Sequence, residues 1–431
     1  MIKCNDVLVV GSGAGGATIA HELAKKGRSV SIFEAGPEVS GAYLGDFKRV
    51  VFWPGYYSKL VIFSKSVEGT SIYRTLNTGG STVFSCGNMV RSLQQEFLNL
   101  GIDLEECFKE AEADLNVTQL SSAKIITGSR LIFNCTQNTD YSFDSMPKGA
   151  MKPGAYDALC NSCGNCVLGC KKQVKWDARY YIARAKALGS VLHAGVQVRQ
   201  VIFSDKGKVN GVLTNKGFYK ADTVILSAGA LATPVILQKS GIPAGQGLFI
   251  DPFNVTYGVL KGASQHKGVS MSAILSSFHQ NDGFILSPYI DHWSDLFLLA
   301  PKSWLVRNKF SKKQLIGIMN KITDERTGSV DVDGKIHKKL TGQDLLRLNA
   351  GNKVARKIIS KTGAEDIITI SKPRGAHPGG TAALNEIVDK NFKVKGYENL
   401  FVCDASLFPK APGKPPILTI VALAKWLGKH L

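Results

Sequence analysis

The chain is 431 residues long, carries a formal net charge of +19 and has nine cysteines, with the apolar and charged fractions of an ordinary globular protein. That length buries a large core and predicts two interleaved domains. No stretch approaches the roughly eighteen uninterrupted apolar residues of a membrane-spanning helix, and no nucleic-acid-binding motif accompanies the charge, so neither a membrane span nor a nucleic-acid partner is expected.

The first element is the strand Val7-Leu8-Val9-Val10, followed at once by Gly11-Ser12-Gly13-Ala14-Gly15-Gly16, a helical run over 17–26, a second strand at 29–33 and Glu34. Strand, glycines, helix, strand and acid in this order form a dinucleotide-binding fingerprint. Gly11 allows the tight turn, Gly13 lets the backbone approach a pyrophosphate, and Gly16 lets the helix pack closely on the sheet. Glu34 can accept from a ribose hydroxyl. Taken alone, the fingerprint allows NAD, NADP or FAD. It begins within ten residues of Met1 with no signal or transit peptide before it, so a cytoplasmic protein is expected. The Asn-x-Thr triplets at Asn116, Asn134 and Asn254 then have no bearing on glycosylation.

Next comes an aromatic stretch in which Phe52, Trp53, Tyr56, Tyr57 and Phe63 mix with Lys48, Arg49, Lys59 and Lys65. This composition suits a peripheral membrane contact or a lipophilic mouth, and core aromatics explain it equally well. Thr78-Gly79-Gly80-Ser81-Thr82 opens a loop and short helix, and 102–117 reads as an amphipathic helix. Residues 141–175, rich in Gly, Pro and Cys, read as an excursion from the core. Regular structure returns with a helix at 177–188 and strands at 191–193 and 196–204, then at 211–214 and 218–220. The apolar run from Thr223 to Pro234 reads as a buried parallel strand entering a second glycine turn. Residues 257–370 carry alternating strands and a basic helix at 341–361. Residues 302–374 hold 17 Lys and Arg against 7 Asp and Glu, a basic surface open to an acidic redox partner or an anionic membrane. The chain closes with His377-Pro-Gly-Gly-Thr381, the strand Leu400–Ser406 and a helix at 417–430.

Cys160, Cys163, Cys166 and Cys170 place four of the nine cysteines in one short run. Structural disulfides are not expected in a cytoplasmic protein. The spacing equals the bacterial ferredoxin run, so an iron–sulfur cluster of the 4Fe-4S kind is the leading expectation. Lys171 stands where ferredoxins carry proline, and Cys170 is the least secure ligand. Zinc and a metal-free cysteine-rich loop remain alternatives. Cys4, Cys86, Cys107, Cys135 and Cys403 are dispersed and read as small core residues, with Cys86 an added ligand candidate.

In this order the segments resemble the glucose–methanol–choline (GMC) flavoprotein oxidoreductases. The resemblance implies an FAD adenosine site at Gly11, Gly13, Ala14, Gly16, Glu34 and Ala35. It implies a flavin-side signature at Gly80, Ser81, Asn88 and Arg91, and an adenine contact through Val198. It further implies a second signature at Ala228 and Gly229 through Pro234, and ribityl–pyrophosphate contacts at Asp404 and Ala405. His377 would be the active-site base. The implied fold is α/β with α+β elements: an FAD-binding Rossmann-like three-layer domain with an interleaved antiparallel-sheet substrate domain. Residues 1–256 would form the FAD-binding domain with a cysteine-rich insertion at about 151–175, 257–370 the substrate-binding domain, and 371–431 the return to the first.

The chemistry behind His377 stands without the family. Alcohol oxidation removes a hydroxyl proton and a carbon-bound hydride; neutral imidazole takes the proton at cellular pH and the flavin takes the hydride. One departure is plain. Family members present a second His or Asn before the last helix, whereas this chain reads Gly413-Lys414-Pro415-Pro416, and Pro415 has no side-chain donor or acceptor. Lys414 is a candidate substitute. The other histidines, His21, His193, His279 and His292, read as packing or surface residues. The expected function is FAD-dependent oxidation of a CH–OH group of a small organic alcohol, with the aromatic segment at 52–63 leaning toward a lipophilic one, and with electrons passed through the cluster to a protein or quinone acceptor. The alternatives are a flavin-dependent reductase or desaturase of a lipid-like substrate and a non-catalytic binding module.

Overall fold

A computed structural model describes residues 5–39, 44, 61–137, 139–204, 207–309, 311–370 and 372–431. Cys4 and most of the aromatic–basic cluster, from Lys48 to Lys59 together with the Phe63 side chain, lie outside the described residues.

Strand β1 (Asn5–Val10), helix α1 (Ala14–Lys25) and strand β2 (Val30–Glu34) form the amino-terminal unit. Val7, Leu8, Val9 and Val10 are all buried, as a strand covered on both faces requires. β1 lies parallel to β2 and to the long strand Gly217–Leu226; Val191–Ala194 extends the sheet beyond β2, and Leu400–Val402 joins Gly217–Leu226 in parallel. The first half of Gly217–Leu226 turns into an antiparallel meander with Val209–Thr214 and Val198–Phe203. α1 packs against Arg179–Ala187 and Ile417–His430, and these layers share one apolar core.

Among the described residues the second sheet also has seven strands. Its order is Phe284–Pro288, Leu315–Ile322, Pro252–Val259, Arg374–Gly375, Ser71–Thr75 and Val61–Lys65, with Glu365–Thr369 also beside Pro252–Val259. Every pairing is antiparallel except Arg374–Gly375 with Ser71–Thr75. Helix Gly342–Lys361, started by a Thr341–Asp344 capping box, covers this sheet. Gly351 lets it settle, since a Cβ there would lie 2.2 Å from Asn320 Oδ1. A buried ion pair ties the sheet together: Arg374 donates to both oxygens of Asp291 at 2.8 and 2.9 Å, and Tyr257 Oη donates to the same carboxylate at 2.6 Å.

The expected helices appear as Glu105–Asp114, Arg179–Ala187, Gly342–Lys361 and Ile417–His430. Two details differ. The segments at 218–220 and 223–226 are one strand, because the meander and the parallel sheet share it. The strand from Leu400 stops at Val402, because Asp404 accepts from Ser406 N and turns the chain into a short 3-10 helix, Ala405–Leu407. Pro252–Val259 runs across the expected 256/257 division. No helix among the described residues is long and apolar enough to cross a membrane.

Candidate active site

The carboxyl ends of β1, Gly217–Leu226 and Leu400–Val402 meet at one edge, the place where open parallel sheets receive nucleotides. Gly11 turns at φ +99°, and a Cβ there would lie 2.2 Å from Ser227 O. A Cβ on Gly16 would lie 2.0 Å from Gly11 O, so its absence lets α1 sit directly on the turn. Gly13 caps α1 without a side-chain bond and faces open space, with Ala14 the first helical residue behind it. The helix amino terminus therefore offers unclaimed N–H groups to an anion. Gly80 crosses close above it; a Cβ there would lie 2.9 Å from Gly13 Cα. Ser81 Oγ accepts from Thr75 N at 3.2 Å and is exposed, as is Ala35.

Glu34 is buried at the far side. Its Oε2 accepts from Ser12 N and Ser12 Oγ, and its Oε1 from Gly36 N at 2.8 Å. Burial pushes its carboxyl up while these donors pull it down. Two carboxylate oxygens offer about four lone pairs, so room remains for ribose hydroxyls. Asp404 closes the cradle from the carboxyl end, accepting from Gly229 N at 2.8 Å and Thr233 Oγ1 at 2.6 Å, while Ala405 O accepts from Gly380 N. Gly229 (φ +82°) faces open space, Ala228 is half-buried beside it, and Val198 is buried at the head of the meander. Asn77 Oδ1 and Thr78 Oγ1, in the loop over α1, are buried without a partner among the described residues. An open helix terminus, a buried acid and orphaned polar atoms fit a dinucleotide. Gly16→Ala is expected to cost ~1–3 kcal/mol and to yield protein purified with little flavin, which a thermal melt and a visible spectrum check.

A second cluster forms where the carboxyl-terminal block meets the second sheet. His377 Nδ1 lies 3.0 Å from Asp251 Oδ2. Burial pushes the Asp251 carboxyl well up while Lys321 pulls it down; in its ionised form Asp251 only accepts, which puts the hydrogen on Nδ1 and leaves the Nε2 lone pair free. The His377 side chain retains 18% exposure, enough for a small molecule to reach it. Asp251 is fully buried in a left-handed conformation, φ +46°. Asp324 holds it there by accepting from Ile250 N and Asp251 N, and Lys338 Nζ pairs with Asp324 at 2.8 Å. Gly413 N donates to Asp251 Oδ1 at 3.0 Å, and only glycine fits there: a Cβ would lie 2.2 Å from Thr323 Oγ1. Lys321 Nζ lies 3.3 and 3.2 Å from the two His377 ring nitrogens. Burial and then the Lys321 charge hold the imidazole well below its usual value, so it is neutral.

Other expected residues lie elsewhere. Lys414, the candidate substitute, is half-buried and interacts with Glu96. His279 Nε2 is 2.7 Å from Pro412 O, bracing the turn that carries Gly413. Arg91 pairs with Glu112 and Glu105, an ion-pair network on the adjoining helix. Asn88 Oδ1 accepts from Lys148 Nζ, which also donates to Cys86 O and Ser270 O.

In the cysteine run, Cys160, Cys166 and Cys170 pack against one apolar cluster with Tyr156, and Cys163 is exposed. Ser162 N donates to Cys160 Sγ and Val174 N to Cys170 Sγ, each at 3.4 Å. No three His, Cys, Asp or Glu side chains among the described residues stand ready around a single metal ion. Two buried lysines adjoin the run. Lys175 donates to Thr82 O and Val83 O, and neither it nor Lys148 has a carboxylate ion-pair partner among the described residues. The Tyr156 hydroxyl is likewise buried without a partner.

Comparison with known proteins places the chain. Models described as GMC oxidoreductase match residues 96–253 and 324–424, and an NAD(P)-binding Rossmann-like domain matches residues 9–49. The chain belongs to the GMC oxidoreductase family and is an FAD oxidoreductase. It is 31% identical to an uncharacterized protein of Methanocaldococcus jannaschii over 97% of this chain and 98% of that one. It is similar to the long-chain-alcohol oxidase FAO3 of Arabidopsis thaliana, 24% identical over 98% of this chain and 67% of the plant protein. Pyridoxine 4-oxidase from Mesorbium loti shares the fold, with a TM-score of 0.74 and 15% identity over 99% of both chains.

Proposed function

We propose that the protein oxidises the CH–OH group of an organic alcohol, with His377 as the base. The observation that carries this reading is the Asp251–His377 pair, a neutral imidazole held by a buried carboxylate with Nε2 left to accept a proton. Gly11, Gly13, Ala14 and Gly16 with Gly80 would hold the FAD pyrophosphate, Glu34 the ribose, and Asp404 the cradle's carboxyl-terminal wall. Bound FAD supplies the two-electron acceptor for the hydride. Asp251 would fix the ring and its tautomer, and Phe253, paired across the sheet with Lys321, belongs to the apolar cluster beside it. Anaerobic protein is titrated with a panel of alcohols; bleaching of the flavin bands supports the reading, and a panel that leaves them unchanged refutes it.

On their ferredoxin spacing Cys160, Cys163, Cys166 and Cys170 would bind an iron–sulfur cluster only by converging beyond the arrangement described above, and such a cluster would supply single-electron transfer to a protein or quinone acceptor. Ferredoxin spacing, two N–H···S bonds and two buried ammonium groups without carboxylate partners support an anionic centre there. Anaerobically purified protein is expected to contain iron and labile sulfide in equal amounts, and Cys166→Ser to lose most of both. Wild-type protein without either refutes the cluster.

A further inference from the structure

Lys321 is the least expected residue of the site. It is the next-to-last residue of the strand Leu315–Ile322 and is 3% exposed; Asp251 attracts it through space and its Nζ lies 5.5 Å from the Phe253 ring centroid, but no carboxylate stands within ion-pair distance among the described residues. Burying an ammonium without such a partner costs several kcal/mol, so its place needs a reason.

The distances supply one. Lys321 Nζ is nearly equidistant from Nδ1 and Nε2 of His377, at 3.3 and 3.2 Å. In the ring plane such a point would collide with Cε1 between the two nitrogens. The ammonium therefore sits over a face of the imidazole, and the in-plane lone pair of Nε2 stays open. An ammonium carries three N–H donors, and the ring face takes none of them as a directed hydrogen bond.

Resting on the alcohol-oxidation reading, we propose that Lys321 is the second polar group of the reacting centre, where it keeps His377 unprotonated and donates to the substrate oxygen as that oxygen loses its proton. The step balances simply. The alcohol O–H bond breaks with its proton passing to Nε2, the carbon-bound hydrogen leaves with its electron pair to oxidised flavin, and the carbon–oxygen double bond forms. Negative charge grows on the oxygen in this step, and a preorganised cation beside it stabilises that charge in a site shielded from water. Pro415 leaves no polar side chain where the family resemblance implies a second His or Asn, and Lys321 supplies a polar group at the ring instead.

The charged and titratable groups around this centre are Asp251 against the ring, Asp324 and Lys338 behind Asp251, and the Cys86 thiol near Lys321. Burial lowers Lys321 to about 8. Its charge is thus present at neutral pH and lost in mild alkali.

The test uses flavin-loaded protein with 15N-labelled histidine. His377 is titrated by NMR in wild type, Lys321→Met and Lys321→Gln, with His377→Asn giving the assignment. Removing the ammonium is expected to raise the proton affinity of His377 about tenfold or more in both variants. An affinity within twofold of wild type in both overturns the proposal. In parallel, flavin reduction by the alcohol that bleaches wild type fastest is expected to decline above about pH 8. Lys321→Arg, which stays charged, should move that decline to higher pH, and Lys321→Met should lower kcat more than it raises KM. An unmoved decline in Lys321→Arg, or a loss confined to KM, refutes the donor role. If no alcohol bleaches the flavin, the donor role falls with the alcohol reading, while the NMR titration still decides whether Lys321 governs His377.

Discussion

His377→Asn is expected to slow alcohol-driven reduction of the bound flavin by ~10²–10⁴-fold, the usual worth of a positioned general base. Asparagine preserves polarity and approximate size but cannot accept the proton. Flavin content should stay at wild-type level, because no group of the glycine cradle depends on this side chain. The pH profile carries the same prediction with a definite sign. Burial and Lys321 hold the imidazole below 6.5, so the base is available above that folded value. Wild-type reduction should rise with pH through a point below 6.5, and the variant's profile should be flat there. Folding follows the same sign. A depressed value means that protonation opposes the native state, so stability present above 6.5 is lost as pH falls toward the folded value. A variant that reduces its flavin within about threefold of wild type would place the base elsewhere.

Arg374→Met is expected to cost ~3–5 kcal/mol of stability, because it leaves Asp291 buried and unpaired. Both carboxylate oxygens take a guanidinium N–H in the native state, and Asp291 is fully buried. Tyr257 would remain its side-chain donor, insufficient for a buried charge. The loss should appear as a lower urea midpoint of the flavin-loaded protein. The double variant Arg374→Met, Asp291→Leu should recover part of it, since removing both charges also removes the desolvation cost. A single variant within about 1 kcal/mol of wild type would mean that Asp291 finds another cation or takes up a proton.

The amino-terminal unit was legible because its constraints are local and steric. Gly11 and Gly16 each face a backbone oxygen that a Cβ would strike, and such needs repeat wherever a strand turns into a helix under a phosphate. Helices with clear periodicity were legible for the same reason. The catalytic surroundings were harder to read. Asp251 follows the apolar run Leu248-Phe249-Ile250, and Lys321 lies between Asn320 and Ile322 near the end of the mostly apolar strand Leu315–Ile322, so neither has an oppositely charged neighbour in sequence that marks it as functional. Their relation to His377 exists only after Pro252–Val259 pairs with Leu315–Ile322, where Phe253 stands opposite Lys321. Lone acids and lysines inside apolar runs were the available signal. Lys414 was the natural substitute by sequence position, whereas the cation beside His377 is Lys321.

The last strand of the parallel sheet, Leu400–Val402, brings Asp404 against Gly229 and Thr233 from mid-chain, beside the glycine turn at residues 11–16. A polypeptide lacking residues 400–406 would therefore carry the whole amino-terminal fingerprint and still miss the Asp404 wall, so it is expected to retain less flavin than the longer chain.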